Sequence, residues 1–489
     1  MQAQGILVVL TAVYLGILIG VGIYVSRAPK TPKGGFLTEY YLGGRSLNGF
    51  LLAMTLVATY TSASSFLGGP GTAYNQGLGW VLLSVIQLPS MYLTLGVLGK
   101  RLAIMGRKIE AVTVIDFIRE RYDNNKLVTV SSAIFIIFFL LAAVAAQFLG
   151  GAILFQSVTG YSYVLCLVFF TAVVMVYVTL GGFMAVALND AFNGVMMFIG
   201  TVVLLAATIK IGGGLPALMT KVAAVDPQLI TPFGRDHFIS IPWISSFWIL
   251  VCIGILGLPQ NAVRSMAFKD SAAVHQAIVI GTLVVGMLML GMHLVGVLAR
   301  ALVQPVANSD MTIPLLAIQL LHPVVAAFVL AAPLAAIMST VDSQLIYIAG
   351  TIVKDLYLNY INPSAPEDTI KKISRGCTIV LSLLILGLAI RPPSMIVWLN
   401  LFAFGGLQAA FFFPLVGGLY WKRANTNGAL ASQLSGVMAF IGLTAKMPRP
   451  LGLHPIVPSL AISLCAFVLV SLATPEPKTE TIKKFWGCP

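Results

Sequence analysis

Thirteen apolar runs, each long enough to cross the roughly 30 Å of a bilayer's hydrocarbon core, occupy most of this sequence. They cover residues 4–26, 49–73, 78–104, 127–157, 161–180, 183–210, 243–263, 272–303, 322–350, 370–391, 394–421, 425–446 and 455–473, numbered here as spans 1–13. Hydrocarbon offers the backbone no hydrogen-bond partner, so such runs fold as helices whose N–H and C=O groups satisfy one another. The expected fold is all-α: a polytopic membrane protein with about 13 transmembrane helices. Charge agrees. The 29 Lys and Arg and 16 Asp and Glu make up 9% of 489 residues, against about 25% in soluble domains. That excludes a cytosolic enzyme, a secreted domain and a disordered chain.

The formal net charge of +13 would suggest nucleic acid or acidic partners in a soluble protein. Here loop placement explains it. With the N-terminus outside and the C-terminus inside, 22 of the 29 Lys and Arg fall in inside loops and 7 outside, as the positive-inside rule requires. No nucleic acid is expected, and no obligatory protein partner is evident. Span 1 has no basic segment ahead of it, and Arg27, Lys30 and Lys33 follow it, so it reads as an uncleaved anchor. Cys166, Cys252, Cys377, Cys465 and Cys488 form no C-x-x-C pair and read as packing residues. Residues 105–126 alternate apolar and charged side chains at helical spacing, which predicts a short amphipathic helix on the cytoplasmic face. The loop 211–242 opens on Gly212-Gly213-Gly214, and the polar tail after Ala473 is expected to be flexible.

Nucleotide, zinc-peptidase and serine-hydrolase signatures are missing, which points away from an ATP-driven pump and from an enzyme. Two spans carry interruptions instead. Span 2 contains Ala58-Thr59-Tyr60-Thr61-Ser62-Ala63-Ser64-Ser65 and then Gly68-Gly69-Pro70-Gly71. Span 7 contains Gly254-Ile255-Leu256-Gly257-Leu258-Pro259-Gln260-Asn261. Such stretches either unwind, freeing carbonyls for a cation, or simply kink and pack closely. Spans 2 and 7 open two five-span units, and an odd number of crossings inverts one unit against the other. Interrupted helices at matching positions of inverted halves point to a secondary transporter's midplane site. The expected divisions are 1–48, an anchor and loop; 49–210, the first repeat; 211–242, an outer loop; 243–421, the inverted second repeat; 422–473, two peripheral helices; and 474–489, a tail.

Span 9 adds the hydroxyl pair Ser339-Thr340. With carbonyls exposed in span 2 it makes an oxygen cage for a hard cation; the alternative is that both hydroxyls bond back to their own helix. Asp190 and Asp342 are the carboxylates inside apolar spans, and an intramembrane acid suggests function. Asp190 reads either as a second cation or coupling site or as a solvated structural acid, and Asp342 as a structural or gating residue. His293 in span 8 reads as a packing histidine rather than a proton relay.

These residues resemble the sodium:solute symporter family. The matching stretches are Glu39-Tyr40-Tyr41-Leu42-Gly43-Gly44-Arg45-Ser46, Ala58 to Gly71, Tyr177 to Val186, Gly257-Leu258-Pro259-Gln260 with Arg264, Ala336 to Thr340, and Phe404-Gly405-Gly406-Leu407-Gln408. Ile86-Gln87-Leu88-Pro89, Gly418-Leu419-Tyr420-Trp421 and Gly452-Leu453-His454-Pro455 extend the likeness to members that import pantothenate. Two departures stand out: Gln260 replaces the histidine that several members carry, and Asn189 precedes Asp190 where they have Thr. The resemblance implies the leucine-transporter-like five-plus-five inverted repeat. It implies sodium as the co-transported ion, held by the carbonyls of Ala58, Thr61 and Ala336 and the hydroxyls of Ser339 and Thr340. It also implies a neighbouring substrate site, with Tyr60, Ser62, Ser65, Gln87, Ile255, Gln260 and Gln408 as contacts. The function implied is sodium-coupled uptake of pantothenate across the bacterial cytoplasmic membrane. Another small carboxylate or amino acid such as proline is the alternative; a sensor or a channel on the same fold is a competing class.

Overall fold

Helices account for every long element, as the unsatisfied backbone of a hydrocarbon-spanning chain demands. The computed structural model describes residues 2–27, 38–39, 42–180, 183–303, 305–392 and 394–487. Lys30, Lys33, Tyr40, Tyr41, the link at 181–182 and Cys488 lie outside the described residues. Among those described, ten helices are long and apolar enough to cross a membrane, eleven with the bent pair Gly49–Tyr60 and Ser64–Gln76 counted as one. The runs expected as spans 5 and 7 form shorter apolar helices, Tyr163–Thr179 and Ile241–Gly257, so length and apolarity alone do not reach thirteen crossings. Outward-facing side chains such as Leu283 and Val380 are about two-thirds exposed, an apolar belt that needs lipid to cover it.

Span 9, Pro323–Tyr360, is the axis of the bundle, with 83% of its most apolar window buried. It packs against spans 1, 2, 4 and 6. Span 8 (Ser271–Ala299) covers both halves of span 2, and span 11 (Ile396–Tyr420) packs on span 4 and the middle of span 7. Span 1 is tied in as well: the Tyr14 hydroxyl donates to Asn193 Oδ1 at 2.6 Å.

Four local expectations are corrected. The break in span 2 falls at Thr61, whose backbone is extended (φ −80°, ψ 145°), and the two halves meet at 67°. Gly68 and Gly69 lie in helical conformation beyond it; they serve close packing rather than unwinding. In the stretch 105–126, the helix of span 3 runs on to Lys108, and only Val114–Arg121 forms a separate helix. That helix is enclosed by protein. Val114, Ile115, Phe117, Ile118 and Arg121 are all buried, because spans 4, 9 and 11 and the tail pack around them. The tail itself forms the helix Thr479–Trp486 instead of a flexible end. Its Phe485 ring meets Phe117 at 5.7 Å, and Thr481 donates to Asp123 at 2.6 Å. Ile482, Phe485 and Trp486, three apolar residues on one helical face, dock it. Finally, Arg264, counted above as a loop cation, is buried at 4% exposure.

Candidate ion and substrate site

The bend in span 2 frees carbonyls in the middle of the bundle, and span 9 presents hydroxyls to them. Ser339 Oγ donates toward Ala58 O at 3.0 Å and Ala336 O at 3.2 Å. Thr340 Oγ1 donates toward Thr61 O and Ala336 O, both at 2.8 Å. Each hydroxyl has one proton for two carbonyls. Five oxygens therefore converge with two protons between them, all fully buried or within 1% of it. The surplus of lone pairs makes a cage with negative potential, suited to a small hard cation. The back-bonds to the helix's own Ala336 carbonyl coexist with the bonds across to span 2. Thr61 Oγ1 turns away and donates to Val57 O at 2.8 Å, leaving only its carbonyl at the cage. The N–H of Ala63, also freed by the bend, donates to Gln147 Oε1 of span 4 at 2.8 Å.

Above the bend, on the face expected to be outside, lies a cavity of about 60 Å³. Tyr60, Ser65, Gln87 and Ile255 line it, and no Lys, Arg, Asp or Glu does. The Tyr60 hydroxyl bridges Gln87 Oε1 (2.8 Å) and Val251 O (2.9 Å), joining spans 2, 3 and 7 across its floor. Ser62, Gln408 and Gln260 are placed differently. Ser62 Oγ accepts from the Ser64 N–H at 3.2 Å, capping the outer half of span 2. Gln408 Nε2 donates to Leu250 O at 2.7 Å, so it braces the irregular stretch of span 7. Gly254 is required there, since a Cβ would meet Gln408 Oε1 at 2.3 Å. Span 7 breaks at Leu258 (φ −96°, ψ 108°) before the helix Pro259–Arg264. That turns Gln260 toward a separate cavity of about 30 Å³ on the inner side, with Arg264 and Ser343.

Asp190 accepts from Thr55 Oγ1 at 2.7 Å and pairs with Arg264 at 3.2 Å. Arg264 also donates to Thr55 Oγ1 (3.1 Å) and Ser343 Oγ (2.5 Å). This ion pair joins span 6 of the first unit to the end of span 7, below the oxygen cage. Asp342 accepts from the Tyr177 hydroxyl at 2.8 Å and from Ser343 Oγ at 3.2 Å. Asn189, the departure beside Asp190, donates to the same Tyr177 oxygen at 3.0 Å. The sequence reading missed Gln147, for which a lone amide in an apolar run was the available signal, and took Arg264 at the end of span 7 for a loop cation.

Known proteins with this architecture transport solutes with cations. A sodium-coupled sialic acid symporter, solved substrate-bound and outward-open, superimposes with a TM-score of 0.80 over 97% of this chain and 98% of its own, at 18% identity. MHP1, a nucleobase-cation-symport-1 family transporter, follows at 0.52 and 13% identity, over 93% and 99%. These likenesses establish the inverted-repeat fold. In sequence, the sodium/pantothenate symporters of Escherichia coli (strain K12) and Haemophilus influenzae are each 47% identical, over 93–94% of this chain and 94% of theirs. An osmoregulated proline transporter of Bacillus subtilis (strain 168) is 31% identical over 92% of both chains. The sodium:solute symporter family pattern matches residues 40–436, a stretch that holds both broken spans, the oxygen cage and the cavity, and the chain belongs to that family.

Proposed function

We propose that this protein imports pantothenate together with sodium by alternating access across the bacterial cytoplasmic membrane. The observation that carries the ion is the five-oxygen cage between spans 2 and 9. Sodium bound there by Ala58, Thr61, Ala336, Ser339 and Thr340 links the first unit to the second and favours the arrangement in which the cavity closes on substrate. The substrate assignment is supported by the 47% identity to sodium/pantothenate symporters. Tyr60, Ser65, Gln87 and Ile255 are its contacts from spans 2, 3 and 7. Ser62, Gln408 and Gln260 shape the site without facing the cavity: one caps span 2, one braces span 7, and Gln260 meets the solutes on their way in. Both solutes cross unchanged, so no bond is made or broken and no enzymatic step is invoked.

The ion pair makes Asp190 an inner latch rather than a second cation site, since Arg264 already neutralises it. Asp342 is a gating residue beside that latch. The N-terminus is outside and the C-terminus cytoplasmic, in keeping with the 22 to 7 division of cations. Cysteines introduced at Lys108 and Lys221 report this: the first should label only from the cytoplasm, the second only from outside. Labelled pantothenate uptake into proteoliposomes, with and without an inward sodium gradient and with proline as competitor, tests the function. Sodium-driven uptake that proline does not inhibit is expected. Uptake indifferent to sodium would sink the reading, and strong proline competition would move the substrate to the alternative.

A further inference from the structure

Two acceptors in the cavity wall lack a partner among the described residues. His293 of span 8 and Asn400 of span 11 both line it, each 5% exposed. His293 Nδ1 lies 2.7 Å from the Met289 carbonyl. A carbonyl only accepts, so Nδ1 carries the proton and Nε2 of the neutral ring is left as an acceptor. Nε2 points at the outer half of span 2, where a Cβ on Gly69 would stand 2.2 Å away. The preceding glycine packs on span 11: a Cβ on Gly68 would stand 2.9 Å from the Val397 nitrogen. The glycine pair thus lets spans 8 and 11 close on span 2 from two directions, and His293 and Asn400 reach the same cavity. Asn400 Oδ1 is buried and unpaired. A buried acceptor such as Asn400 Oδ1 is costly to leave unsatisfied, and His293 Nε2 is an acceptor on the same cavity wall with no partner among the described residues, so both mark where a ligand's donors belong. Gln87 offers the opposite polarity, because its Oε1 accepts from Tyr60 and its amide N–H groups are left to donate.

We propose that His293 Nε2 and Asn400 Oδ1 form a subsite that accepts hydrogen bonds from hydroxyl groups of the substrate. The assignment rests on the import of pantothenate proposed above. That molecule carries two hydroxyls at one end, an amide in the middle and a carboxylate at the other. Its hydroxyl end matches the two acceptors, and its carboxylate matches the donors of Gln87 and the serines of span 2. A site built to pair a hydroxyl rejects analogues that lack it.

The test is competition of labelled pantothenate uptake by two analogues, each lacking one hydroxyl, in wild type and His293→Phe. Wild type should bind at least one analogue about tenfold or more weakly than pantothenate. In His293→Phe that gap should close: pantothenate affinity falls about tenfold, the analogue's stays within about twofold, and the sodium titration is unmoved. A packing role would weaken all ligands alike and keep the ratio; that result overturns the subsite, as does a wild type that binds both analogues as tightly as pantothenate. A wild type without sodium-driven uptake would instead sink the import reading, and the subsite with it. Should His293→Phe fail to reach the membrane, wild type alone decides. Diethyl pyrocarbonate acylates an unprotonated ring nitrogen. Pantothenate with sodium should slow its reaction at His293 about fivefold or more while exposed His237 and His322 react as before; no shielding overturns the proposal.

Discussion

Thr340 is the residue on which the ion assignment turns. Its hydroxyl spans the gap from span 9 to the Thr61 carbonyl at 2.8 Å, so Thr340→Ala deletes one oxygen of five and leaves the cavity wall intact. The sodium concentration for half-maximal uptake should rise more than tenfold, about 1.4 kcal/mol, while substrate affinity at saturating sodium holds. Coupling is reciprocal, so substrate affinity should fall at limiting sodium. Thr340→Ser should behave almost as wild type; three indistinguishable sodium titrations would remove Thr340 from the site. The Asp190–Arg264 pair makes a second prediction. Stripping one partner from a buried pair costs about 3–5 kcal/mol, because the other charge stays uncompensated. The double variant Asp190→Asn/Arg264→Gln should therefore melt at a higher temperature in detergent than Arg264→Gln alone, and an equal or lower midpoint would contradict it. These residues differ in how far the sequence exposes them. Ser339 and Thr340 stand out because two adjacent hydroxyls interrupt an apolar run, and Ala58 to Ser65 because hydroxyls cluster where a helix should be uniform. Arg264 does not stand out. A cation at the end of a span reads as loop charge, and only its partner 74 residues earlier shows otherwise. His293 and Asn400 look like packing singletons, since hydropathy fixes a span's existence but not its rotation about its own axis.

At the scale of elements, the loop between spans 12 and 13 packs onto the start of span 7, on the face proposed to be outside, through one histidine. His454 lies among Trp243 (5.4 Å between ring centroids), Phe247 (6.0 Å) and Phe440 (6.4 Å), and its backbone N–H donates to Ser246 Oγ at 2.9 Å. Burial pushes the imidazole down to about 3. Its pKa is thus lower folded than unfolded, where about 6.5 is usual. The stability contributed is fully present above that value and is lost as pH falls toward 3. Between pH 7 and pH 5 this one group should remove about 2 kcal/mol. Thermal midpoints in detergent at the two pH values should differ more for wild type than for His454→Phe; equal slopes would clear His454 of the effect. Periodicity revealed the helix Val114–Arg121, whose Thr113 and Asp116 form a capping box, but not its burial. Burial depended on packing against spans 4, 9 and 11 and on a docking partner, Thr479–Trp486, that is too short for composition to distinguish from a solvated end.

For the molecule as a whole, charge balance sets the driving force. In the proposed import, pantothenate is a monoanion at neutral pH, and with Asp190 already paired a single sodium is expected to accompany it. One cation with one anion moves no net charge, whereas each net charge would gain about 2.3 kcal/mol per 100 mV. A potassium-diffusion potential at fixed sodium should leave uptake nearly unchanged; strong acceleration would require a second ion. The two inverted units were legible because five crossings is an odd number and both opening helices carry breakers. How the units lean on one another was not, because tilt comes from side-chain packing between spans. The C-terminal helix adds a constraint of another kind, one of timing. Thr481 bonds to a residue 358 positions earlier, so synthesis must run past residue 485 before Phe485 can meet Phe117. At roughly 5–20 residues per second, the wait is about 20–70 s. Throughout that interval the edge of Phe117 that Phe485 meets stays open to chaperones and proteases, and a polypeptide released before residue 479 never covers it. Docking of the helix Thr479–Trp486 therefore marks a chain synthesised at least through that helix.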